Sequence, residues 1–150
     1  MKTMCDKDIM ITELTEHLMD KYDWPIIRND SSESILNYSN NNLFLNHEYI
    51  SNNITVSIRD IQNVCANFLL KYEWVKNTYT ATQLHENEYS NSFNSLIQRG
   101  YNQKRSGDVI VSIQTGWLKS HWESGGTTHG SSYSYDTHVP LIFWGGKIPK

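Results

Sequence analysis

Three prolines, eight glycines and two cysteines are the only strong punctuation in this 150-residue chain. Cys5 and Cys65 stand far apart with no CxxC spacing, which argues against a disulfide framework or a thiolate metal site, and Cys65 falls on the apolar side of a helical pattern. No apolar run approaches the roughly 20 residues needed to cross a bilayer. Residues 1–10 carry acids and lack the apolar centre of a secretory signal, so as written the chain is expected to stay in the cytoplasm. Positive charge is also scarce. Thirteen Lys and Arg against sixteen Asp and Glu give a net charge of −3, with no basic stripe to follow a phosphate backbone, which excludes nucleic acid as a partner.

What is present is 38% hydrophobic, of which aromatic residues make 12% of the chain, too apolar a mix for disorder. One domain of this size buries about two-thirds of its unfolded surface, enough for a single core. Abundant Asn and Ser point to long polar loops between the elements.

Ile11, Leu14 and Leu18 repeat at helical spacing behind a capping Asp8, predicting a helix over 8–22 that stops near Trp24-Pro25. The Asn/Ser run over 29–42 reads as a loop, and Leu43 to Asn46 as a short buried strand. Ser57 and Asp60 resemble a capping box ahead of Ile58, Ile61, Cys65, Phe68 and Tyr72 on one helical face. Residues 74–80 alternate as a strand does. A third helix follows from Thr80 or Thr82, turning Tyr89, Phe93, Leu96 and Ile97 inward and ending on a left-handed cap at Gly100. Two further strands are expected at 108–113 and 139–144. Alternating helices and strands predict an α/β fold with a mostly parallel or mixed sheet flanked by helices.

Between the last two strands lies a loop rich in Gly, Ser, Thr and His, placed where open α/β sheets bind ligands. His129 sits among Gly125, Gly126 and Gly130, where little side-chain bulk lets the ring reach a cleft, and neutral imidazole is a good zinc donor. A lone loop histidine equally serves as surface or as a hydrogen-bonding loop residue. His121, His129 and His138 are eight or nine residues apart, unlike a helical ligand pair. His138 is the competing candidate, read as structural or as support to the site, and Asp136 as an acceptor for a histidine N–H. Trp117, Tyr133 and Tyr135 are expected to pack the loop, and Lys104 and Arg105 to be solvated charges.

Taken as a longer string, Gly125 to Gly145, GGTTHGSSYSYDTHVPLIFWG, closely resembles the last metal-ligand segment of bacterial alkaline phosphatases of the single-subunit, phosphodiesterase-like branch. Gly100 to Val111 resembles that family's strand entry, and Thr115-Gly116-Trp117 its turn before the loop. The resemblance implies a partial alkaline-phosphatase-like sandwich, with 1–150 as the C-terminal portion and the N-terminal catalytic half absent. It implies that His129 is a zinc ligand, one of a set serving two zinc ions, and that the remaining ligands and the Thr or Ser nucleophile precede the matched part. The implied substrate is a phosphate ester, the implied partner the missing N-terminal half, and the family is periplasmic or secreted. No phosphate-binding role passes to Lys104 or Arg105. Ser132 and Thr115 replace family prolines, which leaves the ligand untouched. Two alternatives stay open at this stage: the phosphodiesterase or sulfatase branch of the superfamily, and a small non-enzymatic α/β protein.

Overall fold

A computed structural model of the chain describes residues 6–24, 35–53, 55–90, 92–117 and 129–146. Helix α1 (Lys7–Tyr22) starts on Asp6, whose carboxylate accepts the amide N–H groups of Asp8 and Ile9, both at 3.1 Å. The cap therefore sits two residues ahead of the expected Asp8, because the acceptor must lie outside the helix to reach its free amides. Met10, Leu14 and Leu18, spaced four apart, are fully buried, and the helix ends where Asp23 turns left-handed.

Strands β1 (Leu36–Ser39) and β2 (Asn42–Leu45) form an antiparallel hairpin. The structure corrects the polar loop expected over 29–42: residues 36–39 are a strand, and 29–34 lie outside the described residues. The Asn and Ser residues that suggested a loop include the turn itself. Asn40 and Asn41, with φ of 47° and 62°, make the two-residue turn whose twist matches the strands it joins.

A short helix, α2 (His47–Asn53), not anticipated from the sequence, leads to α3 (Ile58–Leu69). Ser57 caps α3, accepting from the Asp60 amide at 3.1 Å and donating its hydroxyl to the Asp60 carboxylate at 2.6 Å. Ile61 and Cys65 are buried as the pattern predicts, with Leu69 beside them; Ile58 and Phe68 are partly buried, and Tyr72 lies past the helix end. Strand β3 (Val75–Thr80) runs directly into α4 (Ala81–Glu86) through a capping box between Thr80 and Gln83. The third helix expected from the sequence is two helices, α4 and α5 (Ser92–Gly100). Gln98 bridges the break, accepting from the Tyr89 amide at 3.0 Å and donating to the Leu84 carbonyl at 2.9 Å. Leu96 is exposed rather than inward, and Gly100 ends the helix without left-handed backbone.

Strand β4 (Val109–Ile113) slots between the hairpin and β3, giving the order β1-β2-β4-β3. The architecture is α/β, with helices against a four-stranded sheet. Every pairing is antiparallel, however, where the alternation of helices and strands had suggested parallel or mixed neighbours. The reason is that β2 and β3 do run the same way but are not neighbours, since β4 separates them. On one face, α1 and α3 close the core over Leu36, Leu43, Leu45, Val75, Val109 and Val111. The strand expected over 139–144 does not form. These residues are irregular, follow a single helical turn, α6 (Ser134–Thr137), and have no ladder partner among the described residues.

Candidate functional site

The second face of the sheet bounds an open groove of about 1020 Å³. Ile110 and Ser112 of β4 form its floor, Leu96 and Ile97 of α5 one wall, and the segment from His129 to Asp136 another. Sequence order explains this arrangement. Alternation along β4 sends Val109 and Val111 into the core, so Ile110 must face the other way.

His129 is exposed at this groove, followed by Gly130 at φ 99°, a backbone conformation that glycine adopts without the penalty other residues meet. The segment is anchored nearby. Tyr133 donates its hydroxyl to the Ile113 carbonyl at 3.0 Å and packs between Phe93 and Tyr135, with ring centroids 5.1 and 5.5 Å away. Trp117 packs against the core cluster. Tyr133 and Tyr135 therefore pack the segment as expected, although Tyr135 is 66% exposed, whereas Trp117 is seen against the core. Gly125 to Thr128 and His121 lie outside the described residues.

Asp136 accepts from the Ser131 amide at 2.5 Å and lies close enough to His129 to feel its charge. That bond, with further help from the Gly130 amide and the nearby His129, holds its carboxyl below the usual aspartate range. Its carboxylate thus helps shape the turn that carries His129. His138 is exposed just after α6. Lys104 and Arg105 are exposed, as solvated charges would be.

The donor set decides what the groove can hold. Among the described residues no three His, Cys, Asp or Glu side chains converge closely enough to hold a metal ion, and structural or catalytic zinc takes three or four protein ligands. His129 is one accessible donor, and the described residues do not by themselves fit a zinc site.

A second constellation, which sequence reasoning overlooked, centres on Asp108 at the start of β4. Its buried carboxylate accepts from the Leu45 amide at 2.9 Å and from the Gln62 side chain at 3.0 Å, and pairs with His47 Nε2 at 2.7 Å. Gln62 in turn accepts the Thr82 hydroxyl at 2.7 Å. Preceding it, Gly107 lies so close to β2 that an added Cβ would stand 2.5 Å from the Leu43 carbonyl oxygen. No local signal in the sequence marks the Asp108 carboxylate, because its donors lie 46 to 63 residues away. A smaller cleft of about 400 Å³ opens here, lined by His47, Arg59, His85 and Glu86. Arg59 and Glu86 neutralise each other across it, so the cleft presents no free charge of that pair.

An α/β body with helices over one face of an antiparallel sheet and an open groove on the other is the class these features define. Comparison with known proteins names it. No family model matches the chain. It is 32% identical over 123 residues to a protein of Myroides odoratus named calcium-transporting ATPase, an alignment covering 81% of this chain and 22% of that protein. It is 31% identical over 93 residues to alkaline phosphatase PafA of Elizabethkingia meningoseptica, covering 62% of this chain and 17% of the enzyme. Alkaline phosphatase PhoV of Synechococcus elongatus is 30% identical over 92 residues, 60% of this chain and 16% of that one. The crystal structure of wild-type PafA superposes with a TM-score of 0.67 at 22% identity, covering 85% of this chain and 23% of the other. A substituted PafA superposes at 0.68, with 91% and 24% covered. The chain belongs to the alkaline-phosphatase-like superfamily, and it spans about a fifth of the length of the curated relatives it matches.

Proposed function

We propose that this chain is the C-terminal portion of a zinc-dependent phosphate monoester hydrolase, and that His129 is the one metal ligand it contributes. The observation that carries this reading is the placement of His129. It is exposed at the open sheet face, on a left-handed glycine turn, in a chain whose relatives include two named alkaline phosphatases. The other ligands and the nucleophile belong to the three-quarters of such a fold that this segment does not match. A single neutral donor binds zinc weakly, so the 150-residue chain alone hydrolyses phosphate esters at the background rate.

The test is a chimera in which this chain replaces the matched portion of the Elizabethkingia enzyme. Zinc-restored hydrolysis of p-nitrophenyl phosphate is expected, with a loss on the order of 100-fold or more in kcat/KM on His129→Ala, since a catalytic metal loses one of its few ligands. Full activity in the His129→Ala chimera sinks the ligand assignment.

A further inference from the structure

The hydrogen bonds behind the smaller cleft decide what it presents to a ligand. Gln62 accepts the Thr82 amide and hydroxyl through its side-chain oxygen, at 3.3 and 2.7 Å, so its nitrogen is the atom that donates to Asp108 Oδ1 at 3.0 Å. The Leu45 amide occupies Oδ2 at 2.9 Å. An ionised carboxylate only accepts, so His47 donates its Nε2–H to Oδ1 across their 2.7 Å contact. A neutral imidazole protonated at Nε2 carries a bare lone pair on Nδ1. Asp108 thereby fixes one tautomer of a ring that is 58% exposed, while its own side chain stays 11% exposed behind it.

His47 lines the cleft of about 400 Å³, a size within the roughly 300 to 1,000 Å³ of small-molecule sites. This cleft shares only Ser106 with the described lining of the groove at His129. Its charges are balanced. Arg59 and Glu86 join α3 to α4 through two hydrogen bonds, so that pair offers neither a free cation to a phosphate nor a free anion to an amine. The Asp108 charge is spread over its three donors. Every described lining residue except Ala81 and Gly107 carries a polar side chain, so an apolar ligand gains little here either. Tyr101 adds an aromatic surface and Gln103 an amide. Such walls suit a polar ligand without net charge, rich in hydroxyls that both donate and accept, with C–H faces to set against a ring.

We propose that this cleft binds a neutral polyhydroxylated ligand, a sugar or polyol, one hydroxyl of which donates to His47 Nδ1. Asp108 is the positioning residue of the site and His47 its contact. The assignment is independent of the reading of His129 and needs no metal.

Titration of the 150-residue chain with methyl glucoside, followed by amide NMR spectra, tests the site. Signals of Thr82 and Gln103 are expected to shift, with a Kd of about 10 mM or tighter. Nitrogen chemical shifts of the His47 ring, recorded at about pH 8 where imidazole is neutral, are expected to show Nε2 protonated and Nδ1 bare. His47→Ala weakens binding on the order of 10-fold through loss of one hydrogen bond, with circular dichroism unchanged. His47→Asn returns an acceptor near the Nδ1 position and recovers most of that affinity. Tyr135→Ala, in the other groove, changes nothing, and glucose 6-phosphate binds no tighter than the glucoside. The proposal is overturned by an absence of shifts up to about 100 mM glucoside, by shifts confined to the groove at Tyr135, or by a His47 ring protonated at Nδ1. Undiminished binding in His47→Ala overturns it too, as does glucose 6-phosphate binding tighter by about 10-fold or more, since the cleft then reads charge.

Discussion

One carboxylate ties three parts of the chain together. Asp108 of the β4 entry accepts from β2 through the Leu45 amide, from α3 through Gln62 and from the start of α2 through His47. Asp108→Ala strands a buried amide donor and a buried side-chain amide at once. A loss of about 2 to 4 kcal/mol is expected by urea denaturation, from roughly 1 to 3 kcal/mol for each buried group left unsatisfied. His47→Ala, at an exposed partner, is expected to cost much less. Cys65 offers a second test. Burial, aided by the nearby Asp108 charge, pushes its thiol from 9.0 up to about 12. The folded state therefore holds that proton after the unfolded chain has released it. The stability so conferred is complete below pH 9 and declines as pH rises toward 12, by about 1.4 kcal/mol per unit. Burial and the bond to Glu13 raise the Tyr72 hydroxyl in the same direction. Stability measured between pH 9 and 11 in wild type and Cys65→Ala is expected to show a shallower decline in the variant. An unchanged slope refutes the attribution. The thiol was legible in sequence as core, from its place in the α3 stripe. Asp108 was not, because nothing local reveals that a carboxylate will be buried among donors 46 to 63 residues away.

At the scale of elements, α1, α3 and the edge strand β3 were readable, and the opposite edge, β1, was not. α1 and α3 follow from Leu14 and Leu18, and from Ile61 and Cys65, because burial of one face dictates spacing. β1 was hidden because only Leu36 of its four residues is buried, so the strand shows no alternation against water. Its turn is nevertheless written in the sequence as Asn40-Asn41. Both residues have positive φ, which Asn tolerates and β-branched side chains do not. Asn41→Val is expected to lower stability by about 1 to 2 kcal/mol, and Asn41→Gly to leave it unchanged or raise it slightly; thermal melts of the pair check both. Should Val be tolerated as well as Gly, the primed turn is not what sets the hairpin register. Residues 139–144 misled in the opposite direction. Their composition suggests a strand, and among the described residues they pair with none.

For the molecule as a whole, the segment has a well-formed side and an open one. The α1, α3 and sheet layers share a continuous apolar core, in which Met10, Leu14, Leu18, Leu43, Ile61 and Leu69 are fully or almost fully buried. Leu43→Ala at the centre of that core is expected to cost about 2 to 5 kcal/mol with the denaturant slope unchanged, as removal of packed methyl groups leaves a cavity. A loss below 1 kcal/mol by urea titration indicates that the two layers are not tightly packed. The candidate site was legible to the extent that His129 lies exposed at a groove beside its expected aromatic props. Its chemistry was not, since a metal centre is a property of several donors brought together, and among the described residues no three converge.

The order β1-β2-β4-β3 has a consequence for synthesis on the ribosome. The hairpin and β3 emerge with an empty lane between them, and the strand that fills it is the last of the four to be translated. A nascent chain halted anywhere before residue 109 holds a lone two-stranded ribbon and a solitary third strand, neither of which persists in water by itself. Sheet closure in this protein is therefore a single late event, timed by the arrival of five residues.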